Sequence, residues 1–453
     1  MGRSRELGAL RGHFDRPTST IIGVTGLPGV GKSALVRKAL ADYRGVALRC
    51  APLPSVLQRE AFTRAVVGSD AAPLSWGELG ARLGELRREG SGPFVVVLDD
   101  VERLHEARAR VGPLFAEAVR EPDGPPIHFV LVSRDAAALT SDRFPDAFDL
   151  IHVPPLTTRD AARWLPGNQP HHRLRAYGVF GGIPRVLEML DQSVTVGTNV
   201  RRLLLSDGGA LSETPLSWLE RHVQTPTRYV AALSVLARGD ADWGTLHEGV
   251  PDLSQSGQLA PYLKRLSELG MTTGRRSLDA PDRSRSRRYE ILDPFVRFWF
   301  LHVLPWRLSE SYGDSGPHYS NTVRPGIEAY MPTVLPGLAR SHMRTGAIEV
   351  FGTTARETGS LWREDVDIPV AGTLANGAVF YGATAWRPTG EDAASVLHQL
   401  DDQIRQTRYG FGRENRQRIV FTGRPVPTLL RREVARRHDA LLVDARDLLG
   451  ERS

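Results

Sequence analysis

The chain has 453 residues, room for two to four domains, each with its own core. Its composition is that of an ordinary globular protein, its formal net charge is a mild +6, and no apolar run approaches the ~20 residues of a membrane span. These features exclude disordered, fibrous and membrane-spanning classes. The opening "MGRSRELGALRGHF" lacks an apolar signal region, and the single cysteine, Cys50, excludes an intramolecular disulfide or a cysteine-built zinc site. A cytoplasmic location and no membrane partner are the expectation. The basic residues are nearly all arginine. Only Lys32, Lys38 and Lys264 are lysines, so each lysine is informative.

"STIIGVTGLPGVGKSALVRKAL", from Ser19 to Leu40, opens with a β-branched run, Thr20 to Thr25, that predicts a buried strand. "GLPGVGKS" then matches the phosphate-loop pattern, and "SALVRKAL" has helical spacing. Gly26, Gly29 and Gly31 let the backbone curl so that its N–H groups face phosphates, with Val30 and Ala34 in the same cradle. The helix N-terminus adds positive potential. Lys32 is expected to reach the β- and γ-phosphates, and the Ser33 hydroxyl to ligate Mg²⁺. ATP and Mg²⁺ are therefore the expected cofactors.

"GPFVVVLDDVERL" predicts a second buried strand that ends in acids. Asp99 is expected to hold Mg²⁺, and Asp100 to polarise the attacking water, one methylene shorter than the glutamate many ATPases place there. "PIHFVLVSRD" predicts a strand between these two, with Ser133 sensing the γ-phosphate and Arg134 beside the nucleotide. "FDLIHVPPLTTRDAARWL" adds a strand, Leu150 to Val153, and a helix. Strands alternating with helices predict an α/β fold, a doubly wound parallel sheet.

"YGVFGGIPRVLEML" places a Gly-Gly-Ile-Pro turn before a helix. Pro184 has two readings, a helix-start proline or a nucleotide contact. Residues 226–293 read as three helices and a hairpin, the order of a winged helix. The hairpin carries Arg275, Arg276, Arg283, Arg285, Arg287 and Arg288 against Asp279 and Asp282, which would suit phosphates of DNA. A packing lid is the competing reading. "DPFVRFWFLHVLPWR" places Phe295, Phe298 and Trp299 on one helical face and reads as a core helix.

In their order, "RELGAL", "GLPGVGKS", "VVVLDD", "VSR", "GGIP", the winged helix and "DPFVRFWF" resemble the archaeal-type DEXX-box ATPase family. That family lies within the wider STAND and Orc-like P-loop ATPases. The resemblance implies that Arg5 and Glu6 lie near the base. It also implies a C-terminal α/β domain with a restriction-endonuclease fold. Asp99-Asp100 departs from the family's usual Asp-Glu and points to a slow switch. The resemblance matches "EDVDIPVA" to the acid-bearing nuclease strand and "GATAW" to the strand that carries Glu-x-Lys. Those two positions fall on Ala383 and Ala385. Asp365 and Asp367 alternate with Val366 and are expected on one face, without the facing carboxylate and lysine that metal-assisted cleavage uses. Glu357, Glu364 and Glu391 are the acids that could rescue such a site. Near the end, Arg431, Arg432, Arg436 and Arg437 crowd a predicted helix, either a solvated face or a nucleic-acid or partner surface.

The expected organisation is a P-loop core (1–165), a helical lid (166–222), a winged helix (223–310) and a degenerate nuclease-like domain (311–453). The leading expectation is an ATP-binding switch with slow hydrolysis that binds DNA or a protein partner. An ATP-dependent DNA endonuclease and a non-catalytic assembly subunit of a defence-type system, with a partner or a homo-oligomer, are the alternatives.

Overall fold

A computed structural model describes residues 2–104, 111–113, 118, 124–139, 148–281, 283–309, 315–363, 365–389, 392–413 and 415–451. The chain divides into two compact units, Arg3–Pro155 with Ser267–Gly270, and Leu156–Leu266 with Met271–Ser453.

The first unit is built on β1 (Thr20–Thr25), β2 (Arg44–Arg49), β3 (Phe94–Asp99), β4 (Ile127–Val132) and β5 (Phe148–His152). They form one parallel sheet in the order β2-β3-β4-β1-β5. Every residue of β1 and β4 is buried, which is why these segments read as unbroken apolar runs. Ile21, Val96, Leu98, Phe129 and Leu131 pack with Phe62, Leu79 and Leu83 from two helices, Ser55–Val67 and Trp76–Arg88. The second helix starts at a capping box: the Ser75 N–H donates to Glu78 Oε2 (2.6 Å) and the Glu78 N–H to Ser75 Oγ (3.2 Å). β4 lies between β1 and β3, so their carboxyl ends open side by side.

In the second unit, helix Pro170–Phe180 stops at Gly181, whose φ is +65°. Pro184 then opens helix Pro184–Leu187 at its first position. The turn between them is held by Asp293, which is fully buried. Its carboxylate accepts the Gly182 N–H (3.0 Å) and the Phe295 N–H (2.9 Å). A Cβ at Gly181 would lie 2.1 Å from Asp293 Oδ1, so only glycine fits that approach. Phe295, Phe298 and Trp299 are all buried, as a core helix requires.

Helices Thr227–Arg238, Trp243–Gly249 and Ala260–Glu268 precede an antiparallel pair, β6 (Thr272–Arg275) and β7 (Arg288–Ile291). Ala241 adds a bridge to Tyr289. A long helix, Arg324–Phe351, leads to a second sheet of β8 (Ala355–Arg363), β9 (Val366–Leu374), β10 (Val379–Ala385), β11 (Arg416–Thr422) and β12 (Ala440–Val443). Its order is β12-β11-β10-β9-β8, antiparallel from β8 to β10 and parallel from β10 to β12. The β8 edge does not face water bare. The β6–β7 loop covers it, with the Leu278 N–H on Ser360 O (3.0 Å) and Ser277 Oγ accepting the Trp362 N–H (3.0 Å). Buried Arg340 ties the same two elements together, donating to Glu290 Oε2 (2.7 Å) and Pro369 O (3.0 Å).

Burial pushes the Asp293 carboxyl up to about 6, against the three backbone N–H groups that favour its charged form. Its folded pKa lies above its unfolded value, so this group favours folding in its neutral form. That contribution is complete below pH ~4 and is lost as pH rises through ~6. Replacing Asp293 by Asn removes the titration. Urea melts from pH 4 to 7 are expected to show wild type losing about 2 kcal/mol relative to the Asn variant. Parallel pH profiles for the two proteins would contradict this account of the turn.

Candidate nucleotide site

The site is assembled at the carboxyl ends of β1, β3 and β4. After β1, Gly26, Gly29 and Gly31 have φ of +151°, +81° and +93°. A Cβ at Gly26 would meet Val153 O at 2.4 Å, whereas one at Gly31 would meet nothing within 4 Å. The loop is thus tight against β5 on one side and open on the other. Helix Lys32–Leu40 begins with no side-chain cap, so the first-turn N–H groups of Lys32, Ser33 and Ala34 have no acceptor within the helix. Val30 is fully buried and shapes the loop from behind.

Lys32 is 7% exposed, and its Nζ donates to Gly26 O (2.8 Å) and Leu27 O (3.1 Å). Burial lowers its pKa to about 8, opposed by Glu102, Asp99 and Asp100 and reinforced by Arg134. Ser33 Oγ donates to Asp99 Oδ1 at 2.9 Å, so the hydroxyl and carboxylate expected to share a divalent cation already meet. Asp99 Oδ1 also accepts the Asp100 N–H (3.1 Å). This donor set, one hydroxyl and one carboxylate of oxygen chemistry beside open backbone N–H groups, fits Mg²⁺ held with phosphates.

Asp100 adopts φ +60°, a left-handed conformation open to aspartate. Its Oδ1 accepts from Arg134 at 2.9 Å, and its Oδ2 lies 3.8 Å from Arg49 Nε and 4.0 Å from Arg103 Nε. Ser133 Oγ donates to Glu102 Oε2 (2.8 Å) and accepts the Asp135 N–H (3.0 Å), while Arg134 Nε lies 3.7 Å from Glu102. Asp99, Asp100, Lys32, Ser33, Ser133 and Arg134 therefore form one contiguous polar cluster.

Arg5 is exposed on helix Ser4–Phe14, and it is Arg3 that reaches the loop, donating to Val30 O (2.8 Å) and Pro154 O (2.5 Å). Pro184 belongs to the second unit. Glu102 and Arg49 had not been singled out. Glu102 was legible as a third acid in "DDVE"; Arg49 had no signal, because nothing in "RGVALR" announces a strand.

The acids of the C-terminal sheet are arranged differently from the expectation. Asp365 lies in the turn before β9, and only Asp367 is in the strand. Asp367 Oδ1 accepts from Arg288 at 3.0 Å, and that guanidinium also lies 5.1 Å from the Trp362 ring centre. Ala383 and Ala385 stand half-buried on β10. Glu357 is exposed; Glu364 and Glu391 lie outside the described residues, among which no group of three acids or histidines could hold a metal. The hairpin and tail arginines also divide. Arg275 pairs with Asp240 (2.8 Å) and Glu290 (2.9 Å), whereas Arg283, Arg285 and Arg287 are exposed. Helix Thr428–Ala435 ends before Arg436 and Arg437, which corrects their assignment to it. Arg437 instead donates to Asp401 (2.6 Å) and Asp439 (3.0 Å), within a network that also holds Arg418. Acids brought close only by the fold recruit these cations, which sequence spacing does not reveal.

In sequence, residues 1–132 match the family described as AAA ATPase domain. The first unit is a P-loop ATPase domain. No curated protein matches the chain. Among solved structures, a Walker-type ATPase of Pyrococcus abyssi aligns over 66% of this chain and 96% of its own, at 19% identity and a TM-score of 0.45. Aeropyrum pernix Orc1, solved in complex with DNA, aligns over 67% and 93%, at 16% identity and 0.30. Cdc6p of Pyrobaculum aerophilum aligns over 66% and 93%, at 17% identity and 0.30. Among the described residues, no helix is long and apolar enough to cross a membrane.

The buried lysine gives this site a pH signature. Phosphates require the ammonium form, so ATP affinity stays flat below pH ~8 and falls as Lys32 deprotonates above it. Titrations of ATP between pH 7 and 9 are expected to show about a tenfold loss. A flat profile would mean that Lys32 does not meet the phosphates.

Proposed function

We propose that the protein is an ATP-binding switch with slow Mg²⁺-dependent hydrolysis. The observation that carries this reading is the pairing at the ends of β1 and β3: Ser33 Oγ on Asp99 at 2.9 Å, with Asp100 tied to Arg134 at 2.9 Å. Lys32 and the N–H groups of residues 29–34 would bind the phosphates, and Ser33 and Asp99 would hold Mg²⁺. Ser133 would sense the γ-phosphate from its bond to Glu102. Asp100 would orient the attacking water. A carboxylate whose lone pair is engaged by a guanidinium is a poorer base, and an aspartate reaches less far than a glutamate, so both features favour a slow timer over a motor.

In this reading the second unit comprises a helical lid (166–222), a winged helix (223–310) and a nuclease-like domain (311–453). Three helices, a hairpin and the Ala241–Tyr289 bridge support the winged helix. The mixed sheet supports the nuclease-like domain, and Arg288 on Asp367, together with alanines at 383 and 385, supports its being catalytically inert. DNA or a protein partner would be read by this unit and coupled through the Gly181–Pro184 turn. The endonuclease reading requires Asp367 to leave its arginine and find a second carboxylate. The assembly-subunit reading requires a nucleotide-dependent change in mass without phosphate release.

Lys32→Ala is expected to weaken ATP binding by about a hundredfold or more, as charge-assisted contacts to phosphate are lost. Equilibrium binding of a fluorescent ATP analogue measures it, and unchanged affinity would sink the assignment. Plasmid incubated with the protein and Mg²⁺ or Mn²⁺ is expected to stay supercoiled, for wild type and Asp367→Ala alike. Nicking that disappears in the Asp367 variant would restore the nuclease reading.

A further inference from the structure

Phe411 is 82% exposed, more than any other large apolar side chain among the described residues. It sits at the tip of "TRYGFGREN", between α-helical residues ending at Gln406 and the start of β11. The tip is not loose chain. The Phe411 N–H donates to Arg408 O (3.0 Å) and the Arg413 N–H to Gly410 O (3.1 Å), two overlapping turns. Gly410 and Gly412 take φ of +67° and +78° on either side of the ring. A Cβ at Gly410 would lie 2.7 Å from the Tyr381 hydroxyl, so glycine is required there for packing as well as for φ. Below, Tyr381 Oη donates to Tyr409 O (2.6 Å), and the Tyr409 hydroxyl bonds Thr373 (2.9 Å). A buried floor thus holds up an aromatic ring that packs against nothing.

The ring's neighbours are cationic. Arg408 and Arg413 are exposed, and neither has an acidic partner among the described residues. Arg413 reaches over the β9–β10 turn, its Nη1 3.6 Å from where a Cβ of Gly377 would be. The β6–β7 loop comes up to the same segment, with Thr407 Oγ1 3.4 Å from Asp279.

We propose that the Phe411 tip is a stacking platform for single-stranded DNA, with Arg408 and Arg413 on the flanking phosphates. An exposed ring with an exposed arginine three residues before it and another two residues after it can meet a base face and its backbone together. A duplex keeps its base faces covered, so a ring at the tip finds nothing to stack on. One ring without apolar neighbours is too little for a membrane surface. Glycines and arginines also supply none of the apolar surround that a buried protein hot spot requires. The ring and the two arginines address a base face and phosphates, neither of which needs a 2′-hydroxyl.

The test uses the full chain and a fluorescein-labelled oligothymidylate of about 20 nucleotides at about 0.1 M salt, read by anisotropy. Phe411→Ala is expected to weaken binding about tenfold, and Phe411→Trp to keep or strengthen it. Arg408→Ala with Arg413→Ala should flatten the salt slope by about 1.4. The melting temperature and ATP affinity should not move in any variant, since the ring packs on nothing and lies outside the nucleotide site. Equal affinity of wild type and Phe411→Ala overturns the proposal, as does absence of binding. Phe411-dependent binding of a blunt duplex, of oligouridylate in preference to the DNA, or of anionic phospholipid vesicles in its place overturns it too. The outcome is independent of the ATP-switch reading, which the Lys32 variant tests separately.

Discussion

A buried ammonium organises the first unit. Lys32 is held by two carbonyls of the loop that precedes it, at the mouth of a sheet whose neighbouring strands end in Asp99 and Ser133. Burying a charge is tolerated only where opposite charges and hydrogen bonds surround it. Glu102, Asp99 and Asp100 supply those charges, and Arg134 and Arg49 in turn keep the acids from repelling one another. β4 must lie between β1 and β3 for this balance to exist, because it carries the serine and arginine into the gap. The parallel sheet, the glycine turn and the charge cluster are consequences of one electrostatic requirement.

The second unit depends on a different buried group. Asp293 gives both carboxylate oxygens to backbone N–H groups, one in the Gly181–Pro184 turn and one at the start of the aromatic helix. The bond joins positions 111 residues apart and fixes two helix entries at once. Beyond it, arginines act as fasteners. Arg340 and Arg275 share Glu290, and Arg288 takes Asp367. A hairpin rich in arginine therefore commits two of its cations to its own unit, and its exposed arginines are Arg276, Arg283, Arg285 and Arg287.

Asp367 on β9 acquires its meaning from its neighbours. Two convergent carboxylates would repel each other and gather a metal. A single one beside a guanidinium and an indole gathers an arginine, and the strand becomes a docking seat. The same sheet carries the Phe411 turn at its other loops, where the ring and its arginines face solvent.

The local chemistry was legible in the chain itself. Apolar runs predicted β1, β3 and β4 because strands buried on both faces need no alternation, and "GLPGVGKS" predicted the phosphate loop because only glycines permit its dihedrals. Gly-Gly-Ile-Pro predicted a helix entry, which Pro184 opens. Edge strand β2 was not legible: of "RGVALR" only Leu48 is buried, so the pattern carries no apolar signal. Nor were the partners of the arginines, since Arg3, Arg49, Arg288 and Arg437 look alike in one dimension. Periodicity and glycine positions report on backbone and burial, which are local. Which cation meets which acid is set by long-range packing, and only the tertiary structure decides it.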